Sequence, residues 1–148
     1  MLDLFIYKRR VQYHETDAMG VVHHANHIKF FEEARVAWLR QRGLMHCHAP
    51  YGPLVFAVVS TEAKYLRPMI FDDEFEVHTE AKGEGARICF RYAIYVQRLG
   101  KWVASGTTEL VPLTQDFKPT VLPDDVKALL KRESWSESWP PSIPAKPL

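Results

Sequence analysis

The chain has 148 residues, 47% of them hydrophobic, which suits one compact domain with a sizeable core and argues against a second domain. Lysine and arginine total 19 against 18 aspartates and glutamates, and a formal charge of +1 supplies no global field for nucleic acid or an anionic membrane. Cys47 and Cys89 are the only cysteines, Met1 to Lys8 is too short and too soon charged for a signal peptide, and no apolar run approaches membrane-spanning length, so a cytoplasmic protein with neither a disulfide framework nor a membrane span is expected.

In chain order, residues 4 to 12 are apolar and then basic, and predict a first strand that ends where His14, Thr16, Asp17 and Gly20 supply turn chemistry. From His27 to Arg42, residues Phe30, Phe31, Ala34, Ala37 and Trp38 fall in one stripe with Lys29, Glu32, Glu33 and Arg40 opposite. That pattern predicts an amphipathic helix of about four turns, stopped by Gly43. Leu44 to Gly52 reads as a loop. Strands are expected at Pro53 to Arg67, Glu74 to Lys82, Ala86 to Gln97 and Trp102 to Val111. Pro68, Asp72-Asp73, Gly83-Glu84-Gly85 and Leu99-Gly100-Lys101 would be short hairpin links. Phe75, Val77, Thr79 and Ala81 alternate with charged neighbours, and Ile88, Phe90, Tyr92, Ile94 and Val96 do likewise, so one face should be buried and the other partly polar. One helix segregated from a run of strands predicts an α+β fold, a curved antiparallel sheet wrapped around the helix. Asp124 to Lys131 reads as a short surface helix. The remainder, rich in Pro, Ser and Trp, reads as an irregular tail, which divides the chain into a domain over 1–131 and a tail over 132–148. Trp135 and Trp139 are candidates for docking on a neighbouring subunit.

Asp17 lies in Tyr13-His14-Glu15-Thr16-Asp17-Ala18-Met19-Gly20-Val21-Val22-His23-His24-Ala25-Asn26-His27, the turn-prone link between the first strand and the helix. A carboxylate just before a helix stands near the unpaired N–H groups of its first turn, so a base and an electrophile-stabilising site arrive together. Such a pair can activate water and polarise a carbonyl. The ordinary role of an isolated Asp in such a loop is a turn or cap. Thr16 reads as a loop hydrogen-bonder, and Glu15 as solvated or paired with a basic neighbour.

The run Arg10-Val11, Thr16-Asp17, Gly20-Val21-Val22, His24-Ala25-Asn26, Phe31 and Arg35 resembles the 4-hydroxybenzoyl-CoA thioesterase branch of the hotdog-fold superfamily, including the YbgC-like acyl-CoA thioesterases. A looser match continues through Tyr65-Leu66-Arg67-Pro68 and Asp72-Asp73-Glu74. The resemblance implies a hotdog fold and hydrolysis of a thioester of coenzyme A, or of a related acyl carrier, without a cofactor. It implies Asp17 as the catalytic carboxylate and the His24 backbone N–H as the donor to the thioester oxygen. Gly20, Val22, His23, Asn26 and His27 would line the substrate site. It further implies a homodimer with joined sheets, often paired into a homotetramer, with sites at the subunit interface. The chain departs from the commoner pattern at Met19, His23 and His27, which bears on acyl preference rather than reaction type.

Other readings of these residues are weaker. His23 and His27, at i and i+4, together with His14, His24 and His46-Cys47-His48, invite a metal, but no His-Glu-x-x-His or paired Cys-x-x-Cys accompanies them. The alternative is that His27 lines the acyl pocket or satisfies a core hydrogen bond. Lys64, Arg67, Arg87 and Arg91 could meet coenzyme A phosphates, although each alone reads as a solvated strand residue. No glycine-rich phosphate loop and no Gly-x-Ser-x-Gly elbow is present, which argues against nucleotide hydrolases and serine esterases. A non-catalytic acyl- or protein-binding module is the competing class, and a hotdog dehydratase a remoter one.

Overall fold

The computed structural model describes residues 5–44 and 54–142. The expected loop from Leu44 to Gly52 falls almost entirely outside them. Strand β1 (Phe5–Arg10) is followed by a 3-10 turn at Tyr13–Glu15, helix α1 (His24–Gln41), strands β2 (Leu54–Tyr65), β3 (Glu74–Glu84), β4 (Arg87–Val96) and β5 (Lys101–Thr114), and helix α2 (Asp124–Leu130). The strands form one antiparallel five-stranded sheet in the order β1-β3-β4-β5-β2. The α+β expectation therefore holds.

Helix α1 begins three residues before the position its apolar stripe indicates. The cap is His23, whose Nδ1 accepts the Ala25 N–H at 3.1 Å. An imidazole thus takes the place usually held by Ser, Thr, Asp or Asn, and its carbonyl accepts the Asn26 N–H at 2.9 Å. At the other end Gly43 adopts φ 71°, and Leu44 N–H reaches back to the Leu39 carbonyl at 2.9 Å, the left-handed termination that favours glycine.

The buried face of α1 carries His27, Phe30, Phe31, Ala34, Arg35, Trp38 and Leu39. Phe31 stacks on Tyr92 at 4.6 Å, Phe30 meets Phe75 at 4.8 Å and Trp38 meets Phe90 edge-on at 5.2 Å. A Cβ at Gly106 would collide with the Phe31 ring and the Glu62 carbonyl, so glycine there lets the helix lie close on β5. These ring contacts place the helix on one face of the sheet, against β3 and β4.

The segment after β2 is not a hairpin link. Strand β2 pairs with β5 at one edge, whereas β3 lies between β1 and β4, so residues 66–73 cross from one side of the sheet to the other. The turn chemistry read at Pro68 and Asp72-Asp73 is real: Asp72 has φ 70°, and buried Asp73 accepts the Ile70 N–H at 2.9 Å and Arg98 Nε at 2.7 Å. It shapes a crossover.

The tail also departs from expectation. Residues 133–142 carry no helix or strand, yet they lie across the outer face of β3, β4 and β5 of their own chain. Trp139 Nε1 donates to the Tyr92 carbonyl at 3.2 Å, Trp102 Nε1 to the Pro141 carbonyl at 3.0 Å, and Arg91 Nη2 to the Ser136 carbonyl at 2.6 Å. Arg91 Cζ stands 4.7 Å from the Trp135 ring and 4.5 Å from the Trp139 ring, and its charge pairs with Glu80 at 2.6 Å. Trp135 and Trp139 thus dock on their own chain. Strand β4 is in consequence buried on both faces, not one.

Candidate active site

The link between β1 and α1 folds into a small β-like hairpin. Thr16 and Val22 form a bridge, Asp17 N–H donates to the Val21 carbonyl at 2.8 Å, and Gly20 N–H to the Asp17 carbonyl at 3.0 Å. Gly20 has φ 80°, a left-handed value that other residues adopt at a cost. Closing this turn carries Asp17 back toward Val22 and the start of α1. The crossing segment supports it from outside: Val22 N–H donates to the Met69 carbonyl at 2.8 Å, and Val21 bridges Ile70.

Within the hairpin, Asp17 Oδ1 accepts the Met19 N–H at 2.8 Å and, more weakly, the Val21 N–H at 3.4 Å. Among the described residues its Oδ2 has no hydrogen-bond donor. One oxygen orients the carboxylate and the other is unengaged among the described residues. His24 is the first residue of α1, so its N–H cannot bond within the helix, and it finds no acceptor among the described residues. His23 N–H, one residue earlier, is taken by the Glu15 carbonyl at 2.9 Å.

The remaining expected site residues are placed differently from one another. Val22 is buried in the core and Gly20 is exposed at the turn. His23 caps the helix and stacks on His24 at 4.2 Å. Asn26 Nδ2 donates to the Glu15 carbonyl at 2.8 Å, tethering the first helical turn to the loop. His27 is 4% exposed, with its ring edge-on to Tyr65 at 4.8 Å and its Nδ1 without a hydrogen-bond partner. Burial pushes its imidazole below the ordinary histidine value, against the opposing pull of the His24 and His23 backbone.

Tyr65, at the end of β2, belongs to this group although sequence reasoning left it out. The Tyr65-Leu66-Arg67-Pro68 match was the available signal, but nothing in its spacing says that a strand residue reaches the helix start. Glu15, expected to be solvated or paired, is paired with Arg9 and buried. Of the four cations considered for phosphate, Arg87 pairs with Glu109 at 2.6 Å and Arg91 lies beneath the tail, while Arg67 donates to the Trp102 carbonyl at 2.8 Å. Among the described residues no three His, Cys, Asp or Glu side chains converge as metal ligands, and His46-Cys47-His48 lies outside those residues. No helix among them is long and apolar enough to cross a membrane.

A free carboxylate oxygen and a free helix-start N–H held by one hairpin suit acyl transfer to water, and the comparisons agree. The family model of the thioesterase-like superfamily matches residues 11–130. The chain belongs to that superfamily. As a thioesterase of its hotdog-fold, YbgC-like branch it is a thioester hydrolase of the acyl-CoA class. It is 34% identical over 130 residues to the acyl-CoA thioesterase YbgC of Haemophilus influenzae, covering 84% of this thioesterase and 92% of that protein. A crystal structure of a hypothetical protein from Aquifex aeolicus matches with TM-score 0.75 and 33% identity over 85% of this chain and 98% of the other. The DHNA-CoA thioesterase of Staphylococcus aureus matches with TM-score 0.79 and 27% identity over 87% and 90% of the two chains.

Proposed function

We propose that Asp17 is the general base or nucleophile of this thioesterase and that the His24 N–H receives the oxyanion. The observation that carries the reading is the pairing of an oriented Asp17 carboxylate, one oxygen of which is unengaged, with an unpaired N–H at the first residue of α1. As base, Asp17 Oδ2 takes a proton from water while the water oxygen bonds to the thioester carbon, and the carbonyl oxygen gathers charge at the His24 N–H. Collapse breaks the C–S bond. The thiolate of coenzyme A leaves with the bonding pair and takes a proton from Asp17 or solvent. Its thiol has a pKa of roughly 8.5 by analogy with free cysteine, so no strong acid is required. As nucleophile, Oδ2 itself bonds to the carbon, the C–S bond breaks with its pair leaving on the thiolate, and water opens the resulting mixed anhydride to the acid and the Asp17 carboxylate.

The substrate is an acyl-CoA or a related carrier thioester, with Gly20, His23, Asn26 and His27 around the reacting group. The chain works as a domain over 1–131 with 132–148 as an irregular tail. It assembles as a homodimer through the free edge of β2, where the register shifts between Val58 and Ser60 and Val58 and Val59 are both about half exposed. A panel of acyl-CoA substrates, read by thiol release for the wild type and Asp17→Asn, tests the reading. Near-wild-type turnover by the variant on the best substrate overturns it.

A further inference from the structure

Glu15 stands two residues before Asp17 and is charged yet only 7% exposed. A buried carboxylate persists when a cation and hydrogen bonds replace its water. Its Oε1 has both, because Arg9 Nη2 on β1 donates to it and the Gln12 N–H does so at 2.7 Å. Arg9 is itself immobilised. Its Nη1 reaches the two Glu33 oxygens on α1 at 2.7 and 2.9 Å, and its Cζ stands 4.8 Å from the centroid of the Phe30 ring. Tyr7 Oη donates to the same Glu33 at 2.9 Å. One guanidinium therefore ties the side chain of Glu15 to both β1 and α1.

The backbone of Glu15 makes a second connection. Its carbonyl accepts the His23 N–H at 2.9 Å and Asn26 Nδ2 at 2.8 Å. Asp17 follows two positions later, and His24 is the neighbour of His23. Both groups assigned to the chemistry are thus keyed to a single buried residue that touches neither.

We propose that Glu15 is a positioning residue for thioester hydrolysis, holding the Asp17 carboxylate and the His24 N–H in the relative geometry that the reaction needs. The inference rests on the roles given to Asp17 and His24 above. A displacement of about 1 Å between reacting groups costs on the order of a hundredfold in rate, so a stiff link between loop and helix acts on kcat. Glu15→Ala removes the link to Arg9 and Gln12. Glu15→Gln keeps an amide oxygen for both donors.

The experiment measures kcat and KM by thiol release on one acyl-CoA substrate, together with melting temperature, for the wild type, Asp17→Asn, Glu15→Ala, Glu15→Gln, Asn26→Ala and the double variant Glu15→Ala/Asp17→Asn. Glu15→Ala is expected to lower kcat at least about tenfold with KM within about threefold, and Glu15→Gln to recover most of the loss. In the Asp17→Asn background Glu15→Ala should remove less than it does in the wild type, because the part of its effect that runs through the Asp17 carboxylate is already gone. Asn26→Ala places the best helix former on a half-exposed helical site, so it folds even if Glu15→Ala does not, and it should lower kcat severalfold. Unchanged kcat in Glu15→Ala, equal losses in both backgrounds, or a raised KM with unchanged kcat in Asn26→Ala overturns the inference. An inactive Asp17→Asn beside an unaffected Glu15→Ala strikes this inference alone, whereas an active Asp17→Asn strikes the catalytic reading and the inference with it.

Discussion

Tyr65 donates its hydroxyl to the His24 carbonyl at 2.8 Å, joining the last residue of β2 to the first residue of α1. The edge strand of the sheet thereby holds the same helical turn whose first N–H has no acceptor among the described residues. Tyr65→Phe keeps the ring against His27 and deletes only this bond. Its loss, worth about 1 kcal/mol, should lower kcat about fivefold with little change in melting temperature. A kcat equal to wild type would show that the helix start needs no support from β2.

Asp17→Asn preserves size and the Oδ1 contacts to Met19 and Val21 while removing both basicity and nucleophilicity. Turnover should fall by at least about a hundredfold, with the melting temperature nearly unchanged. Steady-state thiol release and a thermal melt on the same preparation check both halves.

His24 separates a backbone role from a side-chain role. His24→Phe should retain most activity. His24→Pro deletes the N–H at a first helical position that suits proline, and His23 before it already has φ −61° and ψ 135°, a conformation compatible with a following proline. The expected loss is roughly a hundredfold in kcat, as for removal of one oxyanion donor. Equal damage from both variants in folded protein would make the imidazole the functional group.

The order of elements was legible in the chain because it rests on local signals. The stripe from Phe30 to Trp38 marked the buried face of α1, and the alternation from Phe75 to Val96 marked two strands. The connections between Asp17 and its surroundings were not legible. Glu15 to Arg9 depends on how the 3-10 turn folds back on β1, and Tyr65 to His24 and Val22 to Met69 join the link and the helix start to the end of β2 and the segment crossing the sheet, none of which any periodicity encodes. The helix start was misread because histidine is a rare cap. The irregular course of the tail was legible over residues 133–142, but its docking was not, because it comes from two indole rings finding a guanidinium on β4.

His27 makes stability depend on pH. Burial holds its folded-state pKa below the ordinary 6.5, so the unfolded chain takes up a proton that the folded chain refuses. The contribution is fully present above 6.5 and is lost as pH falls through that value toward the folded pKa. Melting temperature should therefore drop more steeply below about pH 6.5 in the wild type than in His27→Phe, whose neutral ring does not titrate. Parallel pH profiles for the two proteins would contradict the assignment.

Trp139→Ala removes the indole that covers Arg91 and bonds the Tyr92 carbonyl. Loss of this partly buried ring should destabilise the fold by about 2 kcal/mol while leaving KM unchanged, since the outer sheet face is remote from the Asp17 hairpin. Chemical denaturation followed by intrinsic fluorescence measures the first, and a substrate titration the second.

The cover over β4 is made later than the strand it covers. Arg91 meets the carbonyl of Ser136, 45 residues further on, and the Tyr92 carbonyl meets the Trp139 indole, 47 residues further on. During synthesis the sheet is complete at Thr114, before any of this segment exists. A chain halted between α2 and residue 133 presents the Arg91 guanidinium and the Trp102 indole N–H to water, whereas a chain extended past Pro141 covers the first with two indole rings and pairs the second. Exposure of that surface therefore reports how far translation has proceeded, and a chaperone or protease that recognises exposed aromatic side chains distinguishes the interrupted product from the extended one by inspecting a single face.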